Sequence, residues 1–391
     1  MQKWLVAPRD PLIFRNGKPF SAAPGSRAET LPIPYPSTLA GAVRTRAGID
    51  PGTGQFQKSL IESLLKNKVY APILVEIDKN NQVIDYFLPA PSDALLMKAN
   101  IPEKATCYDL KPIKMPDAQV DLRDLRICGP ERIIKEKPHP EAPGYWRWGK
   151  YLEWLLAPKA QDTITLSDIG IDKLIQEYRT HVKMEDKSQV AEEGALFQTS
   201  GLEFVSLDRK DDEPYLLSNH RRLGLLVLTD ATISEGTGYL GGERRTVSWF
   251  EINNSTMVFE TCPESLRKRI LDDGYCRLIL ITPAYFMNGN LPHWLQTTFG
   301  VNVKAAINSR YSGVSGWDYE KKSPKPSKRL TPAGSIYFLK LPDGEKEREA
   351  FIKGAWMEPI SDDEQMRWDG FGMALLGVWD GIDREMKKEA K

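Results

Sequence analysis

Residues 222–252, RLGLLVLTDATISEGTGYLGGERRTVSWFEI, contain the pattern that decides the fold. An apolar strand is predicted at 222–230, and a glycine-rich loop follows at 236–242. The loop matches the dinucleotide fingerprint G-x-G-x-x-G, which requires a helix directly after the glycines. The β-branched and aromatic run from Thr246 to Ile252 predicts a strand instead. The sequence therefore argues against a dinucleotide-binding fold.

The rest of the chain mixes strand and helix patterns without a regular βαβα alternation. This mixture favours an α+β fold with mostly antiparallel sheets. Strands are predicted at 3–14, 69–77, 83–89, 202–207, 275–282, 301–308, 335–341 and 373–379, and helices at 37–48, 145–156, 264–272 and 345–355.

The length of 391 residues predicts two domains. We place an N-terminal domain at 1–262 and a C-terminal domain at 263–391. Residues 91–145 alternate Pro, charged residues and short apolar patches, so we expect an insertion with little regular structure there.

The composition is ordinary for a soluble globular protein, with 41% hydrophobic and 27% charged residues. No apolar run approaches the roughly 18 residues that a membrane helix needs. The first ten residues carry too short an apolar stretch for a signal peptide. We therefore expect a cytoplasmic protein that makes no contact with a membrane.

Charge is unevenly distributed, although the formal net charge is zero. Residues 1–50 carry seven Lys or Arg against three acids, and residues 301–340 carry eight against two. Residues 341–391 reverse the balance, with thirteen acids against eight bases. This distribution predicts a local basic track for RNA and an acidic surface for a basic partner. Ordinary solvated charge is the alternative.

Motifs for metal, cofactor or nucleotide chemistry are missing from the sequence. No C-x-x-C pair occurs, so neither a zinc site nor a disulfide framework is expected. The near match to a P-loop at 52–59 has Gln57 where the backbone cradle needs glycine. We predict no cofactor and no metal. The isolated cysteines are Cys107, Cys128, Cys262 and Cys276.

His181 is the histidine that an RNA-cleaving enzyme would use as a general base. It lies beside Lys183, a cation that would stabilise a phosphorane. A structural or surface histidine is the alternative reading. No H-E-x-x-H, G-x-S-x-G or cluster of metal-binding carboxylates accompanies it.

Three segments have the chemistry to hold phosphate groups. The helix predicted after Pro36 offers free amides and hydroxyls at its N-terminus, with Ser37 as the expected N-cap. The glycine-rich loop permits close backbone approach to a phosphate and is followed by two arginines, although a flexible turn with solvated arginines is the alternative. The basic run at 321–329 can follow a phosphate backbone, although a solvated loop is the alternative. The candidate RNA-binding residues are Ser37, Thr38, Arg44, Gly238, Gly241, Gly242, Arg244, Arg245, Lys325, Lys328 and Arg329.

Three blocks of sequence together resemble a known family. They read RDPLIFRNGKPF at 9–20, PYPSTLAGAVRTR at 34–46 and EGTGYLGGERR at 235–245. With the glycine pattern at 370–377, they are similar to the third subunits of the Cmr complex, the type III-B CRISPR effector. That family belongs to the Cas-five-like group of the RAMP superfamily.

The resemblance implies two ferredoxin-like (RRM-like) domains with long loop insertions and glycine-rich loops. It implies binding of the 5′ handle of the crRNA, docking onto the large Cas-ten-type subunit and the neighbouring RAMP backbone subunit, and indirect contact with target RNA. It also implies that the chain does not cleave RNA. Arg44 and Arg46 would lie at the far end of their helix, where they serve packing or a partner. Because the aromatic motifs of ordinary RRM proteins are absent, loops and backbone would bind the RNA.

The leading hypothesis is therefore a non-catalytic subunit that binds the crRNA handle. The alternative is a CRISPR RNA-processing endonuclease of the same superfamily that uses His181. A scaffold that binds only proteins is a third hypothesis.

Overall fold

The fold of the chain is given by a computed structural model with two compact units. Unit one contains residues 1–84, 173–253 and 313–329, and unit two contains 85–172, 254–312 and 330–391. The structure describes residues 1–15, 27–28, 30–115, 122, 124–185, 190–207, 220–252, 259–318, 323–324 and 326–385.

Helices in the described residues are short, and most alternate with strands. The helices are α1 (Pro36–Ala47), α2 (Ile61–Leu65), α3 (Trp148–Leu156), α4 (Leu166–Ile169), α5 (Glu264–Asp273), α6 (His293–Phe299), α7 (Glu345–Ala355) and α8 (Glu364–Trp368).

Strands make up the larger part of the regular structure. The first group comprises β1 (Gln2–Pro8), β2 (Arg27–Ala28), β3 (Val69–Ile77), β4 (Val83–Pro89), β5 (Ala94–Lys98), β6 (Lys104–Asp109), β7 (Lys111–Lys114), β8 (Cys128–Gly129), β9 (Tyr145–Arg147), β10 (Gln161–Thr165), β11 (Gly170–Ile171), β12 (Ile175–Met184) and β13 (Ala191–Glu203).

The remaining strands follow in the C-terminal half of the chain. They are β14 (Val205–Leu207), β15 (His220–Thr229), β16 (Gly236–Tyr239), β17 (Thr246–Glu251), β18 (Tyr275–Leu280), β19 (Asn302–Ile307), β20 (Ser312–Val314), β21 (Trp317–Asp318), β22 (Ser323–Pro324), β23 (Lys328–Leu330), β24 (Ile336–Lys340), β25 (Ala374–Val378) and β26 (Arg384–Glu385).

The C-terminal sheet of unit two has ferredoxin-like topology. Along the chain the elements run β18, α6, β19, β24, α7 and β25, which is a β-α-β-β-α-β order. In the sheet the strands lie in the order β19-β24-β18-β25, and all neighbours are antiparallel. The central strands are almost entirely buried because apolar residues fill both faces of β18 and β24.

Unit one has the same strand order with one element replaced. Its elements β1, α1, β3, β15 and β17 form an antiparallel sheet in the order β3-β15-β1-β17. A second ferredoxin helix would lie between β15 and β17. Here the glycine-rich segment takes that place and adds β16 beside β17. These two sheets confirm the predicted α+β class and its ferredoxin-like domains.

The insertion at 91–145 is more regular than the sequence predicted. Strands β5 and β6 pair antiparallel, and β10 extends them into a three-stranded sheet. Strand β7 pairs with β8 antiparallel and with β26 parallel. The expectation of little regular structure was wrong because these strands are short and their apolar alternation is interrupted by charged residues.

The compact units differ from the predicted division at residue 262. Residues 85–172, expected in the N-terminal domain, group with the C-terminal sheet. The physical reason is a buried ion pair between Asp93 and Arg277, each 1% exposed. The Arg277 guanidinium also donates to the carbonyl of Val378 at 3.0 Å, and the Trp154 indole donates to Asp93 at 2.8 Å. This network joins α3 and the insertion to β18 and β25.

The glycine turn at 370–372 is buried under neighbouring backbone. The Thr282 hydroxyl donates to the Gly370 carbonyl at 2.7 Å and accepts from the Gly372 amide at 3.0 Å. Gly372 has a φ of +89°, and a Cβ there would lie 2.9 Å from the Ser361 amide nitrogen. This turn is therefore a packing element and offers no exposed surface to a phosphate.

Among the described residues, no helix is both long enough and apolar enough to cross a membrane.

Replacement of Asp93 by Ala is expected to destabilise the chain by about 3–5 kcal/mol, because the buried Arg277 charge loses its partner. Chemical denaturation should measure the decrease in stability. Asp272→Ala, at an exposed acid of the same unit, is the control and should change stability by less than about 0.5 kcal/mol. Equal stability of the two variants would contradict this role of the ion pair.

Candidate nucleic-acid interface

The glycine-rich segment forms an edge hairpin in unit one. Strand β16 pairs antiparallel with β17, so that Gly236 lies opposite Trp249 and Tyr239 lies opposite Thr246. Gly236, Thr237 and Tyr239 are exposed. Among the described strands, β16 pairs with β17 alone and is therefore the edge strand of this sheet.

The turn of the hairpin packs its backbone directly on the segment after β1. The Gly242 amide donates to the Ile13 carbonyl at 2.8 Å. Gly241 has a φ of +78°, and a Cβ there would lie 2.5 Å from the same carbonyl oxygen. Only glycine fits this left-handed position at such a close approach. Glu243 and Arg244 continue with left-handed φ values of 56° and 51°.

Arg46 fastens the hairpin to helix α1. Its Nε donates to the Ser234 carbonyl at 2.5 Å, and its Nη1 donates to the Thr237 carbonyl at 3.3 Å. The guanidinium carbon lies 5.8 Å from the centre of the Trp249 ring. Burial lowers the pKa of Arg46 below its ordinary value. The sequence predicted that Arg46 serves packing or a partner, and this contact is a packing role.

Arg9 and Asp10 hold the hairpin from the other side. The Arg9 amide donates to the Thr246 carbonyl at 3.0 Å, and the Asp10 carboxylate accepts from the Thr246 amide at 2.9 Å. This hydrogen bond from Thr246 holds the pKa of Asp10 below its ordinary value. The Arg9 Nε donates to the Ser248 hydroxyl at 2.5 Å.

The three sequence blocks at 9–20, 34–46 and 235–245 therefore meet at one place. The described part of the first supplies Ile13 and Asp10, the second supplies Arg46, and the third is the hairpin itself. Arg244 is exposed close to Gly241 in the chain. Arg245 is half-buried and pairs with Glu243 at 3.1 Å. The predicted RNA contacts that the hairpin brings together are Gly238, Gly241, Gly242, Arg244 and Arg245.

The other predicted contacts lie at the opposite end of α1. The helix begins at Pro36 with Tyr35 as its N-cap and has no side-chain cap. Ser37 was expected to be the N-cap, and this expectation was wrong because Pro36 already has the φ of a first helical residue. Ser37 and Thr38 are half-buried in the first turn.

The ribbon of β20 and β23 carries the basic residues that come near this end of α1. The Tyr35 hydroxyl donates to the Gly313 carbonyl at 3.2 Å, and Gly313 lies in β20. Strand β23 pairs with β20 and contains Lys328, which is half-buried, and Arg329, which is exposed. Lys325 lies outside the described residues. A helix of this length separates the two groups by about 18 Å.

Arg44 lies in the last turn of α1, two residues before Arg46. The Arg44 side chain is buried, and its Nη2 donates to the Asn67 carbonyl at 2.8 Å. It therefore packs α1 against the segment before β3.

His181 lies on the long hairpin of β12 and β13. Its Nε2 is 2.8 Å from the Thr199 hydroxyl, and its ring stacks on Phe197 with the ring centres 5.2 Å apart. These contacts fit a structural histidine. Within the described ranges, no group of three His, Cys, Asp or Glu side chains is arranged to hold a metal ion.

Comparison with protein families gives a match over nearly the whole chain. The model described as CRISPR-associated protein (Cas_Cmr3) matches residues 4–379. The chain belongs to this family. No curated protein matches the chain. The site described above therefore lies in a member of the Cas_Cmr3 family.

Solved structures similar to this chain include chains from type III CRISPR complexes. One is from the type III-B Cmr-beta bound to cognate target RNA and AMPPnP, with 16% identity, 94% of this chain and 93% of that chain covered, and a TM-score of 0.45. A second, from Cmr-beta bound to cognate target RNA, has 16% identity, 95% coverage of both chains and the same TM-score. A chain from the Csm3–Csm4 subcomplex of the type III-A complex has 13% identity, covers 88% of this chain and 96% of that chain, and has a TM-score of 0.29.

Sequence reasoning missed two contributors to the site. Arg9 stands out in the sequence only as part of a block, and the residues around Tyr239 predict a loop. Tyr239 is 65% exposed. The sequence feature that could have indicated Tyr239 is its position as a large aromatic residue in a glycine-rich segment. Nothing in the local sequence around Arg9 indicates its contact with Ser248, 239 residues away.

Replacement of Arg46 by Ala is expected to loosen the hairpin, because the Ser234 and Thr237 carbonyls lose their donor. Hydrogen exchange of the amides at 234–246 should become faster, while exchange in β3 should stay unchanged. Lys58→Ala, at an exposed position of the same unit, is the control. Unchanged exchange at 234–246 would show that Arg46 does not hold the hairpin.

Proposed function

We propose that this chain is a non-catalytic RNA-binding subunit of the type III-B CRISPR Cmr complex. In this proposal it binds the 5′ handle of the crRNA and bridges the large Cas-ten-type subunit to the neighbouring RAMP backbone subunit. The Cas_Cmr3 family match supports the assignment to a CRISPR system. The observation that carries the RNA contact is the convergence of three sequence blocks on one exposed, glycine-rich hairpin.

The hairpin has the chemistry of a phosphate contact. Its outer strand β16 pairs with β17 alone among the described strands, and Arg244 adds an exposed charge without a partner among the described residues. Arg245 follows Arg244 in the chain and forms an ion pair with Glu243. A contact of this kind attracts phosphate without the need for an excess of positive charge over the whole chain. Zero net charge is therefore compatible with local RNA binding.

The start of α1 supports a second contact along the same strand of RNA. Ser37 and Thr38 supply hydroxyls in the first helical turn, which contains no acidic residue. Lys328 and Arg329 come from the ribbon that Tyr35 joins to this end of the helix. Two contacts about 18 Å apart would fix both the position and the direction of an extended strand. Lys325 remains a predicted member of this group.

The endonuclease alternative finds little support around His181. An RNA-cleaving site needs a general base within reach of a substrate hydroxyl, and a separate cation that stabilises the phosphorane. The described contacts of His181 are a hydroxyl and a phenyl ring. We therefore favour the non-catalytic subunit over the endonuclease. In this proposal the chain contacts target RNA only indirectly, through its place in the complex.

The double variant Arg244→Ala, Arg245→Ala tests the RNA contact. Binding of RNA with the 5′ handle should weaken, and the slope of log K against log salt should fall by about 0.7 for each phosphate that the variant no longer binds. Binding of purified chain to labelled RNA, with and without the handle, over a salt titration is the measurement.

The matched control removes two exposed lysines of the same unit, Lys79→Ala with Lys173→Ala. It should leave both the affinity and the salt slope unchanged. Affinity that is unchanged in the arginine variant as well would count against the hairpin as the handle site. RNA cut in the same samples, with cleavage abolished by His181→Ala, would favour the endonuclease.

An exposed apolar cluster in unit one supports protein docking. Ordinary monomers rarely expose several large apolar side chains in one segment, and such clusters mark protein interfaces. Here they follow α1 and lie within α2 and the turn before it. The side chains, between 36% and 44% exposed, are Ile49, Phe56, Leu60, Ile61 and Leu65.

The variant Ile61→Lys, Leu65→Lys is expected to weaken docking by placing charge in the interface. Co-purification with the large subunit, and separately with the backbone subunit, should show that one of the two is no longer retained, with handle binding unchanged. Ile84→Lys changes an equally apolar side chain, 59% exposed in the same unit, and is the control. Retention of both partners by the double variant would refute this docking surface.

A further inference from the structure

The face of the hairpin that points away from α1 carries an exposed aromatic ring and an exposed guanidinium in one row. Thr246 lies opposite Tyr239 in the β16–β17 pair, and the Arg9 amide donates to the Thr246 carbonyl. Cross-strand partners share a face of the sheet. Tyr239, Thr246 and Arg9 therefore form a row across three adjacent segments.

The neighbouring row supports the placement of these side chains on one face. Thr237 lies opposite Ser248, and Ser248 lies opposite Ala7 of β1. The Arg9 Nε reaches diagonally to the Ser248 hydroxyl at 2.5 Å, as expected for two side chains on the same face. Arg46 lies on the other face, where a Cβ at Gly238 would be 3.2 Å from its Nη1. Arg46 therefore contacts one face of the hairpin, and Tyr239, Thr246 and Arg9 lie on the opposite face.

The two ends of the row have groups available to a ligand. Tyr239 is 65% exposed, and its hydroxyl has no partner among the described residues. Ser248 orients Arg9 through Nε, which leaves the terminal amino groups of its guanidinium without a partner in the described part of the chain. Strands lie about 4.8 Å apart, so the ends of the row are separated by about 10 Å. This spacing is comparable to the long dimension of one nucleotide.

We propose that this row is a platform for a single nucleotide of RNA: the Tyr239 ring stacks on a base, and the Arg9 guanidinium binds the adjacent phosphate. The platform rests on the proposed function, because it gives the handle site a base contact beside its phosphate contacts. Stacking on a tyrosine tolerates every base, since each base has a π-face. A planar guanidinium held by Ser248 suits two oxygens of one phosphate. The platform therefore positions the strand without reading its sequence.

The platform also accounts for an aromatic residue that the fold does not need. Tyr239 makes no ring contact with another aromatic residue in the described structure, in contrast to the buried rings of the core. Its neighbours Gly238 and Leu240 leave space around it, since Gly238 has no side chain and Leu240 is buried. A ring in this position is free to accept a base on its face.

Photocrosslinking of the 391-residue chain tests the platform. Handle RNA with 5-iodouridine at one position at a time is bound, irradiated and digested, and the crosslinked peptide is identified by mass spectrometry. One position should crosslink to Tyr239. Tyr239→Phe should keep the crosslinked peptide because the ring remains, whereas Tyr239→Ala should lose it and bind about tenfold more weakly or worse.

Arg9 and an unrelated aromatic residue give the matched comparisons. Arg9→Ala should keep the crosslink at Tyr239 but reduce the salt dependence of binding by one phosphate contact, a slope change of about 0.7. Tyr178→Ala, at a ring that is also 65% exposed in the same unit, should change neither quantity.

The outcomes separate this inference from the proposed function. If Arg244→Ala with Arg245→Ala weakens handle binding while Tyr239→Ala binds normally and no position crosslinks to residue 239, the platform is overturned and the handle site stands. If neither variant changes handle binding, both the platform and the handle site fail.

Discussion

The contact of the Gly241–Gly242 backbone with the Ile13 carbonyl is the constraint on which the site depends. A side chain at Gly241 would occupy the space of that oxygen, 2.5 Å from the Cβ position, and its φ of +78° is costly for other residues. Because the turn lies this close, Thr246 reaches Arg9 and Asp10, and β17 pairs with β1 in one register. The register places the exposed side chains of the hairpin on one face.

The exchange of a ferredoxin helix for a hairpin is compatible with the proposed RNA contact in a chain whose net charge is zero. A helix between β15 and β17 would satisfy its own backbone and cover one face of the sheet. The hairpin instead leaves an open strand edge, glycines without side chains and exposed Arg244. Arg46 holds this hairpin to α1 by donating to the carbonyls of Ser234 and Thr237. With these local features, the proposed phosphate contact does not require a large excess of positive charge over the whole chain.

The fold was largely predictable where local pattern decides it. Helix α7 was predicted at 345–355, and strands β3 and β4 at 69–77 and 83–89, as the structure has them. These elements have strong apolar periodicity and clear turn residues, which act over a few residues. The strands of the insertion at 91–145 were missed because they are short and charged residues interrupt their apolar alternation, although β5 and β6 pair with each other.

The sequence by itself determined the α+β class, the glycine-rich loop, the absence of a dinucleotide helix after it and, through three blocks, the family. Only the tertiary structure decided that these blocks meet, that Arg44 is buried and Arg244 exposed, and that 85–172 belong with the C-terminal sheet. The row of Arg9, Thr246 and Tyr239 likewise appeared only in the structure. The physical reason is the distance along the chain over which each effect acts. Periodicity and turn chemistry act between neighbouring residues. The row, in contrast, joins residues more than 200 positions apart, and their proximity depends on the strand order of the whole sheet.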